Sequence, residues 1–339
     1  MHLVVDDRIP YIRGQAERLG TVSYRPGAQI SAADVSAADA LIIRTRTRCN
    51  AALLQGSHVR FIATATIGFD HLDTAYLAEA GIAWANCPGC NATSVAQYVE
   101  SALLALHQEG LLPALHQLCV GIIGVGHVGG AVARTLRSWG CRLLLNDPPR
   151  AEREGQQGFS PLATLAREAD VITCHTPLTT TGPHATYHLI DAAFFAALRR
   201  HPLFINSGRG EVVDTAALLQ ALADGQVGEA VIDTWENEPR ISLPLLERVA
   251  IGTPHIAGYS ADGKANGTQM ALNAVARFFG LPQTFQVSPP ALTGLTPEHD
   301  PLRRKLQLYD PRRDSQALKA HPEQFEYLRG HYPLRREHF

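Results

Sequence analysis

The sequence predicts an α/β fold in which two domains are built on parallel sheets, and three observations support it. Short apolar runs alternate with stretches of helical periodicity, which is the pattern of parallel strands connected by helices. One apolar run, residues 119–123, leads into Gly124-x-Gly126-x-x-Gly129 and then into a helical stretch. The length of 339 residues fits two domains and a small additional piece.

The N-terminal part is predicted to hold five strands, at residues 3–5, 21–23, 40–43, 61–64 and 82–84. Polar residues follow the first, third and fourth of them, at the edge where open parallel sheets bind ligands. Three arginines follow the third strand, and they suit either a solvated basic loop or an anion site. We favour an anion site with Arg44 as its main cation, because Thr45 and the turn at Thr66 offer neutral donors nearby.

A helix predicted over residues 91–106 marks the boundary between the two domains. Its apolar residues Val95, Val99 and Leu103 recur four positions apart, and a Pro-Gly turn precedes it. It ends shortly before the glycine-rich stretch. The boundary is therefore expected near residues 90–95.

The glycine-rich stretch has the strand, turn and helix context of a dinucleotide-binding fingerprint. Gly124, Gly126 and Gly129 have separate tasks in such a turn: one permits the tight turn, one lets the backbone approach a pyrophosphate, and one lets the helix pack closely on the strand. The phosphates would bind the N–H groups at the start of the helix, at His127 and Val128.

The strand after this helix ends in Asp147, an acid placed to accept hydrogen bonds from a ribose. Such an acid repels a 2′-phosphate, which favours NAD over NADP, although Arg150 leaves NADP open. A turn residue before Pro148 is the structural alternative for Asp147, and the two roles are compatible. The next strand ends at His175 and Thr176, which are expected to face the cofactor.

Three later strand ends supply Arg209, Glu238 and His255. Taken singly, each has a purely structural explanation: Arg209 as a surface arginine, Glu238 as a glutamate before a proline, and His255 as a histidine with its hydrogen bonds satisfied. Together they suit the oxidation of a secondary alcohol beside a carboxylate. That reaction needs a base near neutral pH, an acid to orient it and a guanidinium for the substrate carboxylate.

The motifs around these three residues resemble those of the D-isomer-specific 2-hydroxyacid dehydrogenase family, and the resemblance covers residues 1–280. The motifs are Asn206-Ser207-Gly208-Arg209-Gly210, Asp233-Thr234-Trp235-Glu236-Asn237-Glu238-Pro239 and Thr253-Pro254-His255-Ile256-Ala257-Gly258. The resemblance implies two Rossmann/flavodoxin-like, doubly wound domains with a cleft between them. Residues 1–92 and 259–283 would form the substrate-binding domain, and residues 93–258 the NAD-binding domain.

Residues 63–71, 87–92 and 255–264 narrow the resemblance to members of the family that oxidise a 4-phosphorylated 2-hydroxy acid in pyridoxal 5′-phosphate biosynthesis. This implies substrate contacts from three residues and NAD contacts from four others. The substrate set is Thr45, Thr66 and Tyr259; the NAD set is Asp147, Thr176, Asp233 and Gly258. Two alternatives stay open: a phosphoglycerate, glycerate or lactate dehydrogenase of the same family, and a non-catalytic NAD-sensing protein of the same fold.

Residues 284–339 resemble a shortened form of this subfamily's C-terminal dimerisation module, so we expect a homodimer. The net charge of −2 argues against nucleic-acid binding, and no stretch is long and apolar enough for a membrane span. The N-terminus lacks the features of a signal peptide, so a cytoplasmic protein is expected. Cys87 and Cys90 have the spacing of half a zinc site, but no second pair completes it, and no metal is expected.

Overall fold

The computed structural model describes residues 1–294 and 296–339. The strands are β1 His2–Asp6, β2 Thr21–Arg25, β3 Ala40–Ile43, β4 Phe61–Thr64, β5 Ala83–Ala85, β6 Cys119–Ile123, β7 Arg142–Asn146, β8 Val171–Cys174, β9 Leu203–Asn206, β10 Glu229–Ile232 and β11 Ile251–Gly252. The helices are α1 Ala32–Val35, α2 Ala51–Leu54, α3 Thr74–Glu79, α4 Ala92–Gln108, α5 His127–Ser138, α6 Pro148–Glu154, α7 Leu162–Glu168, α8 Ala192–Ala196, α9 Thr215–Ala223, α10 Leu243–Arg248, α11 Ala261–Phe278, α12 Pro301–Leu308, α13 Pro311–Ala320 and α14 Phe325–Gly330.

The chain forms two compact units. The first contains residues 1–91 and 261–291, and the second contains residues 92–260 and 292–339. The first division thus falls one residue before the predicted start of the NAD-binding domain. Of residues 284–339, expected as a dimerisation module, residues 284–291 belong to the first unit and residues 292–339 to the second.

The first unit is built on a five-stranded parallel sheet with the order β2-β1-β3-β4-β5. Every residue of β3 and β4 is buried, as expected for strands covered on both faces. Helix α11 packs on these strands through Ala265, Leu272 and Val275. The strand order reverses between β1 and β3, so the chain segments after these two strands meet at the sheet's carboxyl edge.

The second unit is built on a six-stranded parallel sheet with the order β11-β10-β9-β8-β6-β7. Strands β6, β8 and β9 are buried throughout, which explains why their sequences are mainly apolar. The order reverses between β6 and β8, so the glycine turn after β6 lies beside the segment after β8. Together with the first sheet, this confirms the predicted doubly wound α/β class.

The C-terminal helices pack on the second unit. Helices α12 and α13 contact α4, and α13 also contacts β11. Leu318 and Phe325 are fully buried among residues of the sheet's flanking core, and Tyr309 lies in the core that contains α4. Each buried side chain of this size contributes about 1.5–3 kcal/mol to stability. No helix within residues 1–294 and 296–339 has the length and apolarity needed to cross a membrane.

Candidate active site

The glycine turn has the geometry that the fingerprint predicts. Gly124 has a φ of +81°, and a Cβ there would lie 2.9 Å from the backbone of His175 and of Thr176. A Cβ on Gly129 would overlap the carbonyl oxygen of Gly124. Around Gly126, by contrast, no described atom lies within 4 Å of the Cβ position. The first and third glycines therefore close the turn on neighbouring backbone, and the second leaves space for a ligand.

Helix α5 begins at His127, and Gly126 caps it without a side chain. The N–H groups of the first turn, including those of His127 and Val128, have no carbonyl partner within the helix. They also lie at the positive end of the helix dipole. This arrangement fits the pyrophosphate of a dinucleotide.

Asp147 joins the glycine turn to the start of α6. Its Oδ2 accepts a hydrogen bond from the N–H of Val125 at 2.8 Å, and its Oδ1 caps α6 by accepting from the N–H of Arg150 at 3.1 Å. The Arg150 side chain donates to the carbonyl of Val125 and to Glu154 at 2.6 Å. Arg150 is thus already paired and does not compete with Asp147, the acid predicted to bind a ribose, and this arrangement suits NAD.

A cleft of about 610 Å³ opens beside the turn. Its lining includes Gly124, Gly126, Asp147 and Thr176. The Oγ1 of Thr176 is buried and has no hydrogen-bond partner among the described residues, so it can bond to a ligand. The cleft is also lined by residues of the segment 177–189, which was not predicted from the sequence as part of the site. The prolines and glycine of this segment indicate a loop and nothing about a ligand.

His175, at the edge of this cleft, is a neutral hydrogen-bonding group. Its Nε2 lies 3.0 Å from the hydroxyl of Thr173, and its Nδ1 lies 3.2 Å from that of Ser207. Burial lowers the pKa of His175 to about 3. It is therefore uncharged at neutral pH and does not compete with His255 as a base.

His255 and Glu238 form a hydrogen-bonded pair. The Nδ1 of His255 lies 2.8 Å from the Oε2 of Glu238, whose Oε1 accepts from the N–H of Trp235 at 2.9 Å. Burial raises the pKa of Glu238, but the contacts with His255, the Trp235 N–H and nearby Arg329 outweigh it and lower the pKa below its usual value. An ionised carboxylate only accepts, so Nδ1 carries a proton and Nε2 can receive one.

The backbone of His255 is held in an unusual conformation. Its φ of +56° lies in the left-handed region, which costs energy for a residue with a side chain. Asp233 supports the segment on either side of it. The Oδ1 of Asp233 accepts from the hydroxyl of Thr253 at 2.6 Å and from the N–H of Ile256 at 2.8 Å, and its Oδ2 accepts from the N–H of Ala257 at 3.0 Å.

Asp233 itself is only 1% exposed, and burial raises its pKa. Its contact with NAD stays a prediction, as does that of Gly258. What the structure adds is a supporting role: both oxygens of the carboxylate hold the segment that carries His255. The acid was predicted from its motif, whereas its bonds to residues 253–257 have no local sequence signal.

Arg209 follows β9, the strand next to β10, and is exposed. Its Nη1 donates to the carbonyl of Gly208 at 2.8 Å. The adjacent Gly210 packs so closely on Trp235 that a Cβ there would overlap the Trp235 carbonyl. Because β9, β10 and β11 are neighbours, the segments carrying Arg209, Glu238 and His255 leave the sheet side by side.

The C-terminal segment reaches this site within the same chain, which sequence reasoning did not predict. The Nε of Arg329 lies 3.2 Å from the hydroxyl of Tyr259, a predicted substrate residue. Its Nη1 lies 3.9 Å from the Oε2 of Glu238. Contacts between residues so far apart in sequence carry no periodic or motif signal.

In the first unit, the predicted anion site is partly occupied by a carboxylate of the chain. Arg44 donates from Nε to the Oδ2 of Asp6 at 3.0 Å and from Nη2 to Oδ1 at 3.3 Å, and Asp6 is fully buried. Thr45 is exposed, and the hydroxyl of Thr66 donates to the carbonyl of Gly68 at 2.9 Å. Arg44 therefore binds Asp6 through Nε and Nη2, and no hydrogen bond of its Nη1 is found among residues 1–294 and 296–339.

The cysteine pair is buried in the same unit. The thiol of Cys87 contacts the carbonyl of Gly267 at 3.2 Å, and burial raises its pKa to about 12 and that of Cys90 to about 11. Such thiols are protonated at neutral pH and pack as small apolar groups. Within the described part of the chain, no group of histidine, cysteine and acidic side chains has the arrangement of a metal site.

Comparison with known proteins agrees with this geometry. Residues 93–257 match the family described as D-isomer specific 2-hydroxyacid dehydrogenase, NAD binding domain. The erythronate-4-phosphate dehydrogenase of Bacteroides thetaiotaomicron is 53% identical over 339 residues, covering 99% of this chain and 97% of the relative. The enzyme of the same name from Edwardsiella ictaluri is 49% identical over 350 residues, covering 99% of this chain and 93% of its own.

Solved structures show the same fold. The D-lactate dehydrogenase of Aquifex aeolicus, complexed with NAD and lactic acid, superposes with a TM-score of 0.62 at 23% identity, covering 83% of this chain and 96% of that one. The TT0316 protein of Thermus thermophilus superposes with a TM-score of 0.65 at 27% identity, covering 83% of this chain and 98% of that one. The predicted family and NAD as the cofactor are confirmed. The chain belongs to the erythronate-4-phosphate dehydrogenase family, a group of NAD-dependent oxidoreductases among the D-isomer-specific 2-hydroxyacid dehydrogenases.

Proposed function

We propose that this protein oxidises 4-phospho-D-erythronate at C2 to (R)-3-hydroxy-2-oxo-4-phosphooxybutanoate, using NAD, in pyridoxal 5′-phosphate biosynthesis. The observation that carries the proposal is the pair of His255 and Glu238, with the Nε2 of the imidazole available for a proton. It stands in a chain that is 53% identical to a relative named for this substrate.

In this mechanism His255 accepts the proton of the C2 hydroxyl at Nε2 while the C2–O bond becomes a carbonyl. Glu238 holds the opposite nitrogen and stabilises the imidazolium that forms. Arg209 binds the substrate carboxylate and polarises the developing carbonyl. When bound, NAD accepts the hydrogen that leaves C2 with its electron pair.

The residues proposed to hold NAD lie along one edge of the second unit. The α5 N-terminus, with His127 and Val128, would bind the pyrophosphate beside Gly126. Asp147 would accept from the adenosine ribose, and the partnerless hydroxyl of Thr176 would bond to the cofactor. Asp233 and Gly258 are proposed as further NAD contacts on the family resemblance.

The substrate residues are proposed as Arg44, Thr45, Thr66 and Tyr259. A phosphate needs donors with positive charge, and the Nη1 of Arg44 is a donor whose guanidinium is already oriented by Asp6. Thr45 and Thr66 add hydroxyls at the same sheet edge. Tyr259 presents a hydroxyl that is hydrogen-bonded to Arg329.

The test is a set of 2-hydroxy acids assayed by NADH absorbance. We expect the highest kcat/KM with 4-phospho-D-erythronate, well above D-erythronate, 3-phospho-D-glycerate, D-glycerate and D-lactate. His255→Ala should bind NAD normally and lose roughly a hundredfold or more in turnover. Preference for another acid would assign the protein to a different dehydrogenase. NAD binding with no turnover of any acid would instead favour a sensor.

We further propose that the protein is a cytoplasmic homodimer in which the C-terminal segment contributes to the interface. Tyr327 and Leu334 on this segment are 59% and 52% exposed, as expected for side chains that a second copy covers. The six cysteines are free, which suits a reducing compartment. Light scattering after gel filtration should give twice the chain mass, and Leu334→Asp should lower it.

A further inference from the structure

We propose that Arg335 is a positioning residue for catalysis, which fixes His255 by binding the carbonyls of the two peptide units that follow it. This inference rests on the proposed role of His255 as the base. It gives the C-terminal segment a task within its own chain, in addition to any part in dimerisation.

The contacts of Arg335 complement those of Asp233. The Arg335 guanidinium donates to the carbonyl of Ala257 at 2.6 Å and to that of Ile256 at 3.3 Å. Asp233 accepts from the N–H groups of the same two residues. The buried Asp233 carboxylate thus binds the N–H groups of this short backbone segment, and the buried Arg335 guanidinium binds its carbonyls. The segment begins immediately after His255.

Arg335 is held in place by its own surroundings. It is 4% exposed, and its guanidinium lies 4.3 Å from the ring centre of Tyr309 and 5.9 Å from that of Tyr332. Both tyrosine hydroxyls donate to the Oδ2 of Asp314, at 3.0 and 2.8 Å. Burial disfavours the charged guanidinium, but the tyrosines and Asp314 outweigh it and keep its pKa above the usual value.

A third C-terminal contact secures the far end of the same backbone segment. The carboxylate of Glu337 accepts from the hydroxyl of Ser260 at 2.6 Å and from that of Ser94 at 2.8 Å. Arg335 also reaches the carbonyl of Ser94 at 3.2 Å. Residues 256–260 are therefore tied to helix α4 through the C-terminal segment.

The contacts of Arg335 and Glu337 with residues 256–260 have a direct consequence for the imidazole of His255. His255 has a left-handed backbone, a conformation that persists only where the surroundings impose it. Without Arg335, the carbonyls of Ile256 and Ala257 lose their buried donor, and the peptide planes can rotate. The ring of His255 would then leave its position against Glu238, and Nε2 would be displaced from the reacting hydroxyl.

The experiment compares Arg335→Ala, Arg335→Lys and the control Arg313→Ala, which alters an exposed arginine of α13. We expect Arg335→Ala to lower kcat on the order of a hundredfold, with the KM for substrate and the Kd for NAD little changed. Added guanidinium ion should restore part of the kcat of Arg335→Ala and none of that of His255→Ala. Arg335→Lys keeps the charge but cannot span two carbonyls, so its loss should be intermediate. The control should behave as wild type.

A second readout separates this inference from the proposed function. Nitrogen-15 NMR of the imidazole, assigned with His255→Gln, reports the protonated Nδ1 without any substrate. If wild type is inactive but Arg335→Ala alters this signal, the proposed function fails and the positioning role stands. A wild-type kcat and an unchanged His255 signal in Arg335→Ala, or in Arg335→Lys if the alanine variant does not fold, would overturn the positioning role.

Discussion

The carboxylate of Glu238 fixes which nitrogen of the His255 ring can take a proton, because its Oε2 lies 2.8 Å from Nδ1. The pair needs no other titratable group to set the tautomer. His175, the other histidine near the cleft, is kept neutral by burial.

Glu238→Gln keeps the size of the side chain and removes its charge. We expect kcat to fall roughly ten- to a hundredfold, because the imidazolium formed during oxidation loses its stabilising carboxylate. The acid limb of the kcat/KM profile should also move to lower pH, since protonation of the pair becomes less favourable. Glu236→Gln is the matched control: Glu236 pairs with His188 at 2.7 Å, so the acid limb should stay in place. An unmoved limb in Glu238→Gln would remove the pair from the mechanism.

Gly129→Ala should disrupt the glycine turn, and Gly130→Ala should not. A Cβ at Gly129 overlaps the carbonyl of Gly124, whereas at Gly130 the nearest atom is the Nη1 of Arg134 at an ordinary 3.7 Å. We expect Gly129→Ala to weaken NAD binding tenfold or more and to lower the free energy of unfolding by about 2 kcal/mol. Gly130→Ala should raise the free energy of unfolding by up to about 1 kcal/mol, because alanine has a higher helix propensity than glycine. Fluorescence titration with NADH and urea unfolding measure both quantities.

Arg44→Ala should affect both stability and substrate choice. It leaves the buried carboxylate of Asp6 without its cation, so we expect a loss of about 2 kcal/mol in unfolding free energy, reduced from a fully buried pair because Arg44 is one-third exposed. The substitution should also weaken the binding of 4-phospho-D-erythronate more than that of D-erythronate. Arg46→Ala, at an exposed neighbour, should leave the stability unchanged. Equal losses for both substrates would exclude Arg44 from phosphate binding.

His175 should make the protein less stable in acid. Its pKa is about 3 in the folded state and near 6.5 when unfolded, so the unfolded chain binds the extra proton between these values. Stability therefore rises with pH through this window and is lost as the pH falls below about 6.5. Urea unfolding at pH 7.5 and pH 5 measures how much unfolding free energy is lost in acid. This loss should be smaller for His175→Gln than for wild type. The variant His116→Gln, at an exposed histidine, should lose as much as wild type.

Local sequence patterns were sufficient for the sheets and for the glycine turn. A buried parallel strand such as β3 has an unbroken apolar sequence, and the turn needs glycine at positions where a Cβ would overlap the backbone. The pairing of His255 with Glu238 also followed, because adjacent parallel strands deliver their following residues to one edge.

Contacts between residues that are far apart in the sequence could not be predicted from local patterns. Arg44 was expected to bind an anionic ligand, and its ion pair with Asp6 was not predicted. Asp6, at the end of β1, lies beside Arg44 only because β1 and β3 are neighbours. Asp233 was assigned to a ligand, and its bonds to Ile256 and Ala257 appear only in the folded chain. Residues 332–337 resemble the dimerisation module, but the burial of Arg335 was not predicted, since the adjacent Arg335 and Arg336 do not reveal which of them will be buried.

Gly210 lies so close to Trp235 that even a methyl group at residue 210 would overlap the Trp235 carbonyl. The residue next to Arg209 must therefore be glycine if the loops after β9 and β10 are to keep their spacing. A larger residue at 210 would push the loop that carries Arg209 away from the loop that carries Glu238. It would thereby change the distance between these two proposed catalytic groups without altering either of them.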